Sequence, residues 1–191
     1  MFPESSTGGA MHQEELGRLG VLAGTLGSGA RVYHAGFVVP DLEEAIAALG
    51  PALGITFGPV VNLPFTTLQT PDGARDVALR LTYSTRPVHV ELVSSAPGTL
   101  WDFADQRRGH HLGVWAEDIG KEADRLQDLG MPRLWWVDGP DGELVFSYHD
   151  TPYGFYIELV NDAFRAGLVE SFRAADPGLV PDGTDVEVER A

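Results

Sequence analysis

The sequence predicts an α+β fold built from two βαβββ modules, and three observations carry that expectation. Each half of the chain opens with a strand and an amphipathic helix, each continues with three apolar runs broken by turn formers, and the halves match at fixed points. HAGFVVPDLEEA from His34 aligns with HLGVWAEDIGKEA from His111 at the histidine, at the glycine two residues on and at the aspartate seven on. VELV from Val90 aligns with IELV from Ile157, which pairs Glu91 with Glu158. The two histidines are 77 residues apart and the two glutamates 67, a difference that loops absorb.

In the first half, residues 32–39 (VYHAGFVV) read as a strand, Pro40-Asp41 as a stop carrying a helix N-cap, and Leu42–Leu53 as a helix with apolar residues at helical spacing. Runs at Ile55–Val61, Asp76–Tyr83 and Val88–Val93 read as strands, separated by Pro71-Asp72-Gly73 and Arg86-Pro87. The second half repeats the order: strand His111–Ala116, cap Asp118, helix Ile119–Leu129, then runs at Leu134–Val137, Glu143–Tyr148 and Phe155–Val160. Gly130, residues 139–142 (GPDG) and residues 152–154 (PYG) supply the breaks.

Modules 31–97 and 108–162 therefore form one domain over 31–162, in keeping with a chain of 191 residues that suits one core rather than two. Residues 1–30 are a Gly/Ser-rich extension around one amphipathic candidate, MHQEELGRLGVLAGTL. Residues 163–191 complete a helix that opens at Asp162 (DAFRAGLVESFRAA) and end in a Pro/Gly/Asp-rich tail.

Composition narrows the partners. A hydrophobic share of 43% with 21% charged residues is that of a soluble globular protein. No stretch reaches the roughly 18 apolar residues of a spanning helix, and the start lacks the order of a secretory signal, so a cytoplasmic location is expected. The formal net charge of −15 argues against nucleic acid and anionic membranes, and a small molecule is the expected partner. With no cysteine, any metal must be held by imidazole and carboxylate groups.

Each histidine opens the first strand of its module and each glutamate sits in the last, among valines and leucines. A carboxylate buried without a partner loses its hydration, and two facing one another repel. A divalent cation shared by His34, Glu91, His111 and Glu158 removes both problems. A lone strand histidine is more often a satisfied core group, and a lone strand glutamate more often faces solvent. Four such residues at matched positions are hard to obtain from independent surface choices.

With YHAGFVVPDLEEA, VHVELV, GHHLGVWAEDI and DTPYGFYIELV, the chain resembles the vicinal oxygen chelate superfamily from about Val32 to Asp162. That group includes glyoxalase I, methylmalonyl-CoA epimerase, fosfomycin-resistance enzymes, extradiol dioxygenases and bleomycin-binding proteins. The resemblance implies a U-shaped eight-stranded partial barrel with helices outside and one divalent ion (Zn, Ni, Co, Mn or Fe) on His34, Glu91, His111 and Glu158. It also implies Lewis-acid stabilisation of an oxyanion formed when a proton leaves carbon, with Glu158 as the proton shuttle.

His149, just before the last strand, is a second acid–base candidate, set against the plainer reading of a strand-end residue bonded to backbone. His89 shares a strand face with Glu91 and is expected to line the cavity, whereas His110 flanks the ligand His111 on the opposite face. The second glutamate base of methylmalonyl-CoA epimerase has no counterpart here, where LQTPDGARDVALRL offers only Asp72 and Asp76. The aromatic residues Phe65, Trp101, Phe103, Trp115, Trp135, Trp136, Tyr148, Tyr153 and Phe155 suit an apolar or ring-containing substrate, although aromatics are more often core.

The function so implied is that of a metal-dependent lyase or isomerase. A protein that sequesters a small molecule has no need of the four ligands, and Glu91 fills a position that an iron dioxygenase leaves open. A homodimer is expected by resemblance and because an open sheet leaves edges to cover.

Overall fold

Two aspartates, each seven residues after the histidine of its module, start the two outer helices. Asp41 accepts a hydrogen bond from the Glu44 amide at 2.8 Å and begins α1 (Leu42–Leu53). Asp118 accepts one from the Lys121 amide at 3.0 Å and begins α2 (Ile119–Asp128). Each carboxylate satisfies an amide that a helix N-terminus leaves unpaired. Gly54 closes α1 with a φ of 66°, the left-handed turn that glycine adopts without a Cβ clash.

The computed structural model describes residues 31–86, 88–105 and 109–175. The amphipathic candidate of residues 1–30 and the Pro/Gly/Asp-rich tail lie outside the described residues. The strands in chain order are β1 (Arg31–Val39), β2 (Val61–Leu68), β3 (Arg75–Tyr83), β4 (His89–Ser94), β5 (His111–Ala116), β6 (Arg133–Asp138), β7 (Leu144–Asp150) and β8 (Tyr156–Asn161).

They form one sheet in the order β2-β3-β4-β1-β5-β8-β7-β6. β1 runs parallel to β4 and β5 parallel to β8, while β1 and β5 meet antiparallel at the centre. The second module thus repeats the first about an axis between β1 and β5. The sheet curls into a half-barrel until its ends touch: Gln69, one residue past β2, and Trp136 in β6 exchange backbone hydrogen bonds of 2.8 and 3.1 Å. Part of the free edge that suggested a dimer is thereby joined within the chain.

One strand lies elsewhere than expected. The run Ile55–Val61 has the composition of a second strand, whereas β2 occupies Val61–Leu68. Gly58-Pro59 interrupts the earlier run, proline has no N–H for a ladder, and Phe57 makes an isolated bridge to Ser84. Pro64 within β2 is tolerated because β2 is an edge strand.

Inside the half-barrel, Val77, Leu79 and Leu81 of β3 alternate inward and pack with Val38, Val93 and Trp101. Outside, Ile119, Ala123 and Leu126 of α2 pack on Val114, Ala116, Leu144 and Leu159. Each large apolar side chain so buried contributes about 1.5–3 kcal/mol, which fixes the sheet that carries the site. After β8 a 3-10 turn (Asp162–Phe164) leads into α3 (Arg165–Ala175), whose Phe172 is buried against Tyr83 and His89 at ring distances of 5.9 and 4.4 Å. Among the described residues, no helix is long and apolar enough to cross a membrane.

Candidate metal centre

Strand register brings the matched residues together. Across the centre of the sheet, Glu91 of β4 lies beside Gly36 of β1, which lies opposite His111 of β5. The neighbouring row runs from His34 of β1 to Gly113 of β5 and Glu158 of β8. In each row a glycine separates the histidine of one module from the glutamate of its own row, and the imidazole reaches across it. A Cβ on Gly36 would fall 2.0 Å from Cε1 of His111, so the ring occupies the space a side chain there would need.

The four side chains are buried, with exposures of 0% for His34, 1% for Glu91, 3% for His111 and 7% for Glu158. The shorter histidine–glutamate contacts cross between modules: His111 Nε2 is 2.8 Å from Glu91 Oε2, and His34 Nε2 is 3.1 Å from Glu158 Oε2. Within modules the spacings are 3.6 Å for His34–Glu91 and 3.5 Å for His111–Glu158, and the two Nε2 atoms are 2.9 Å apart.

These residues fit a divalent cation. Donor atoms bound at about 2.1 Å lie roughly 3.0 Å apart at right angles and 3.4 Å apart in a tetrahedron, close to the spacings seen here. Glu91 Oε2 and Glu158 Oε2 are buried without a hydrogen bond of sound geometry, which leaves them facing the centre of the group. Two carboxylates and two neutral imidazoles around a doubly charged ion also form a neutral cluster.

Electrostatics within the group run the same way. Burial alone would raise the Glu91 carboxyl, but the neighbouring imidazoles of His34 and His111 and the Tyr83 hydroxyl hold it below the usual range. Burial opposes charging of His111, and the carboxylates of Glu91 and Glu158 overcome it and raise the imidazole to about 9. In the absence of a cation, a proton on His111 partly fills the place of the positive charge.

A cavity of about 270 Å³ opens beside Glu91 and Glu158, with Leu81, Trp101 and Phe146 among its apolar walls and Tyr33, Tyr83 and Tyr148 as its phenols. Burial first, and then the nearby carboxylates, push all three phenols well above their ordinary value, so they remain protonated. Tyr33 reaches the cavity through a β-bulge. Val32 pairs with Val114 and His34 with Gly113, leaving Tyr33 as the extra residue, turned inward beside His34 and stacked on Trp115 at 3.9 Å. The sequence carries no cue to this bulge.

Other expectations fare differently. His149 is not brought to the group: it is fully buried on the face of β7 opposite Tyr148, with Nε2 3.0 Å from Ser147 Oγ and Nδ1 3.1 Å from the Met131 carbonyl. His89 is covered by Phe172 and holds the Ser84 carbonyl at 2.7 Å instead of lining the cavity. His110 meets Phe37 on the outer face, as its place in the strand implies. Of the expected aromatics, Trp101 and Tyr148 line the cavity and Trp115 supports Tyr33, while Tyr153 is 77% exposed.

Paired βαβββ modules that enclose two histidines and two glutamates able to hold a metal ion define the class of protein. The chain belongs to the Glyoxalase/Bleomycin resistance protein/Dioxygenase superfamily, whose sequence model matches residues 33–146. Among curated proteins it is 29% identical over 152 residues to a 2-epi-5-epi-valiolone epimerase of Actinomyces sp., covering 68% of this chain and 78% of that protein. Among solved structures it is similar to methylmalonyl-CoA epimerase from Mycobacterium tuberculosis, with 19% identity, a TM-score of 0.49, and coverage of 72% of this chain and 91% of that one. A trypanothione-dependent glyoxalase I of Leishmania major shows 18% identity and a TM-score of 0.30, over 78% of this chain and 99% of that one.

Proposed function

We propose that the protein is a metal-dependent isomerase that moves a proton at a carbon next to a carbonyl group in a small, ring-containing oxygenated metabolite. The observation that carries this reading is the buried group of His34, Glu91, His111 and Glu158 opening on a cavity with apolar walls. A divalent ion bound there supplies a Lewis acid for a substrate oxygen. The residues of the chain do the rest.

Glu158 takes the proton and, as the carboxylic acid so formed, returns it to the enolate left behind, at the neighbouring carbon or at the other face of the same carbon once the enolate has turned in the cavity. Its side chain is 10% exposed against 2% for Glu91, so it is the carboxylate with more access to the cavity. The apolar walls exclude water, which strengthens charge interactions around the reacting atoms. The Tyr33 phenol, on the cavity wall, donates a hydrogen bond to a substrate oxygen. Isomerase is favoured over lyase because the curated relative is an epimerase.

The test is to incubate the metal-loaded protein with 2-epi-5-epi-valiolone and a panel of other cyclic ketones in D2O and to follow the product by NMR. Deuterium entering at the carbon next to the carbonyl, and stopped by a chelator, is the expected result. Tight binding of these compounds without any exchange would replace the isomerase with a sequestering protein.

A further inference from the structure

The two glutamates share a neighbour that the repeat alignment did not single out. In the antiparallel pair β3–β4, Tyr83 stands directly opposite Glu91, and in β7–β8, Tyr148 stands directly opposite Glu158. Each ring also meets the histidine of its own module edge-on: Tyr83 meets His34 at 5.3 Å and 75°, and Tyr148 meets His111 at 5.1 Å and 73°. The Tyr148 hydroxyl comes within 3.4 Å of His111 Nε2, and both phenols share the cavity wall with the two glutamates.

The arrangement obeys the same twofold repeat as the four candidate ligands. It has a sequence counterpart in LTY ending at Tyr83 and FSY ending at Tyr148, eight and ten residues before the respective glutamates. Packing alone does not ask for a hydroxyl at both places, since phenylalanine fills the same volume. A carboxylate with one oxygen toward a cation has lone pairs left over, and a donor fixed on the adjacent strand settles its orientation.

From this we infer that Tyr83 and Tyr148 are positioning residues of the metal centre, each hydroxyl orienting the glutamate directly across from it. The inference rests on the metal-binding reading of His34, Glu91, His111 and Glu158. A phenol hydroxyl supplies one O–H donor, which suits it to aim the carboxylate on the adjacent strand. Both line the cavity as well, which brings them to the side from which a substrate enters.

The experiment is a Co(II) titration of the full-length apo-protein, read by the visible absorption of the bound ion, for the wild type, Tyr83→Phe and Tyr148→Phe. Wild type should bind one equivalent, and each variant should bind about 10–100-fold more weakly with a changed spectrum. Because phenylalanine keeps the ring, a purely structural role leaves affinity and spectrum at wild-type values, and that result overturns the inference while the metal site stands. A wild type that binds no Co(II) overturns the metal-binding reading, and the inference with it. If a variant does not fold, protein labelled with 3-fluorotyrosine decides, with Tyr33→Phe and Tyr156→Phe removing the other two interior signals: the Tyr83 and Tyr148 resonances should shift at one equivalent of Zn(II) while that of exposed Tyr153 stays in place, and unmoved Tyr83 and Tyr148 resonances overturn the inference.

Discussion

A Cβ on Gly113 would lie 1.9 Å from Cε1 of His34, so the imidazole of one module occupies the volume that any side chain at this position of the other would need. The same holds for Gly36 and His111. Gly113→Ala should therefore displace His34 and weaken metal binding at least 100-fold, at a folding cost of about 1–3 kcal/mol for the forced shift. Gly167→Ala is the control, because a Cβ there meets nothing within 4 Å and alanine favours the helix. Metal titration and thermal melting of the two variants compare them directly.

Glu158→Gln and His111→Ala separate proton transfer from ligation. The amide oxygen of glutamine still coordinates but takes no proton, so Glu158→Gln should keep much of its metal and lose about 10²–10⁴-fold in exchange rate. His111→Ala removes a ligand and leaves the carboxylates repelling, so it should lose metal and rate together. Bound metal and deuterium exchange measured on the same samples decide this. An unimpaired Glu158→Gln would move the base to another cavity residue.

Removing the ion should lower stability. A ligand that binds only the folded state at 100 times its Kd adds about 2.7 kcal/mol, and a divalent ion held as proposed would also relieve two buried carboxylates. Adding a chelator to metal-loaded protein should lower its Tm, and a divalent ion should restore it. A Tm indifferent to both would count against the site.

His149 gives the fold an acid-sensitive point away from the metal centre. Burial is the main cause holding its imidazole below the usual histidine value. The folded state keeps this ring neutral, so its contribution is complete above the unfolded value and is lost as pH falls through the lowered folded value, where the unfolded chain binds the extra proton. The stability difference between wild type and His149→Gln should be flat above about pH 6.5 and shrink on acidification. Denaturant unfolding across that range measures it, and a pH-independent difference would contradict the assignment.

Association into a homodimer is expected from the sheet edges that the Gln69–Trp136 bridge does not join. Light scattering at micromolar concentration tests it, and a monomer would count against it.

The repeat made much of this legible in one dimension. His34 and His111, Glu91 and Glu158, and the capping aspartates recur at matched points, and helix and strand periods differ enough to place most elements. What sequence spacing does not carry is register between strands. The glycine after each histidine is visible as a match, but its reason lies on the neighbouring strand, where the other imidazole sits. Tyr83 and Tyr148 likewise belong with their glutamates only once the hairpins are paired. β2 is hard to place by composition because an apolar run broken by Gly58-Pro59 looks like a strand until its missing N–H is counted.

The bulge at Tyr33 has a stereochemical outcome. A cradle repeated about a twofold axis offers each donor twice, and a guest turned end for end would find the same contacts. β1 carries the extra phenol, whereas the residue before β5 is His110, whose ring meets Phe37 on the outer face. One half of the cavity wall therefore has a hydroxyl that the other lacks, and a guest bound as proposed would meet two unlike ends of the cradle.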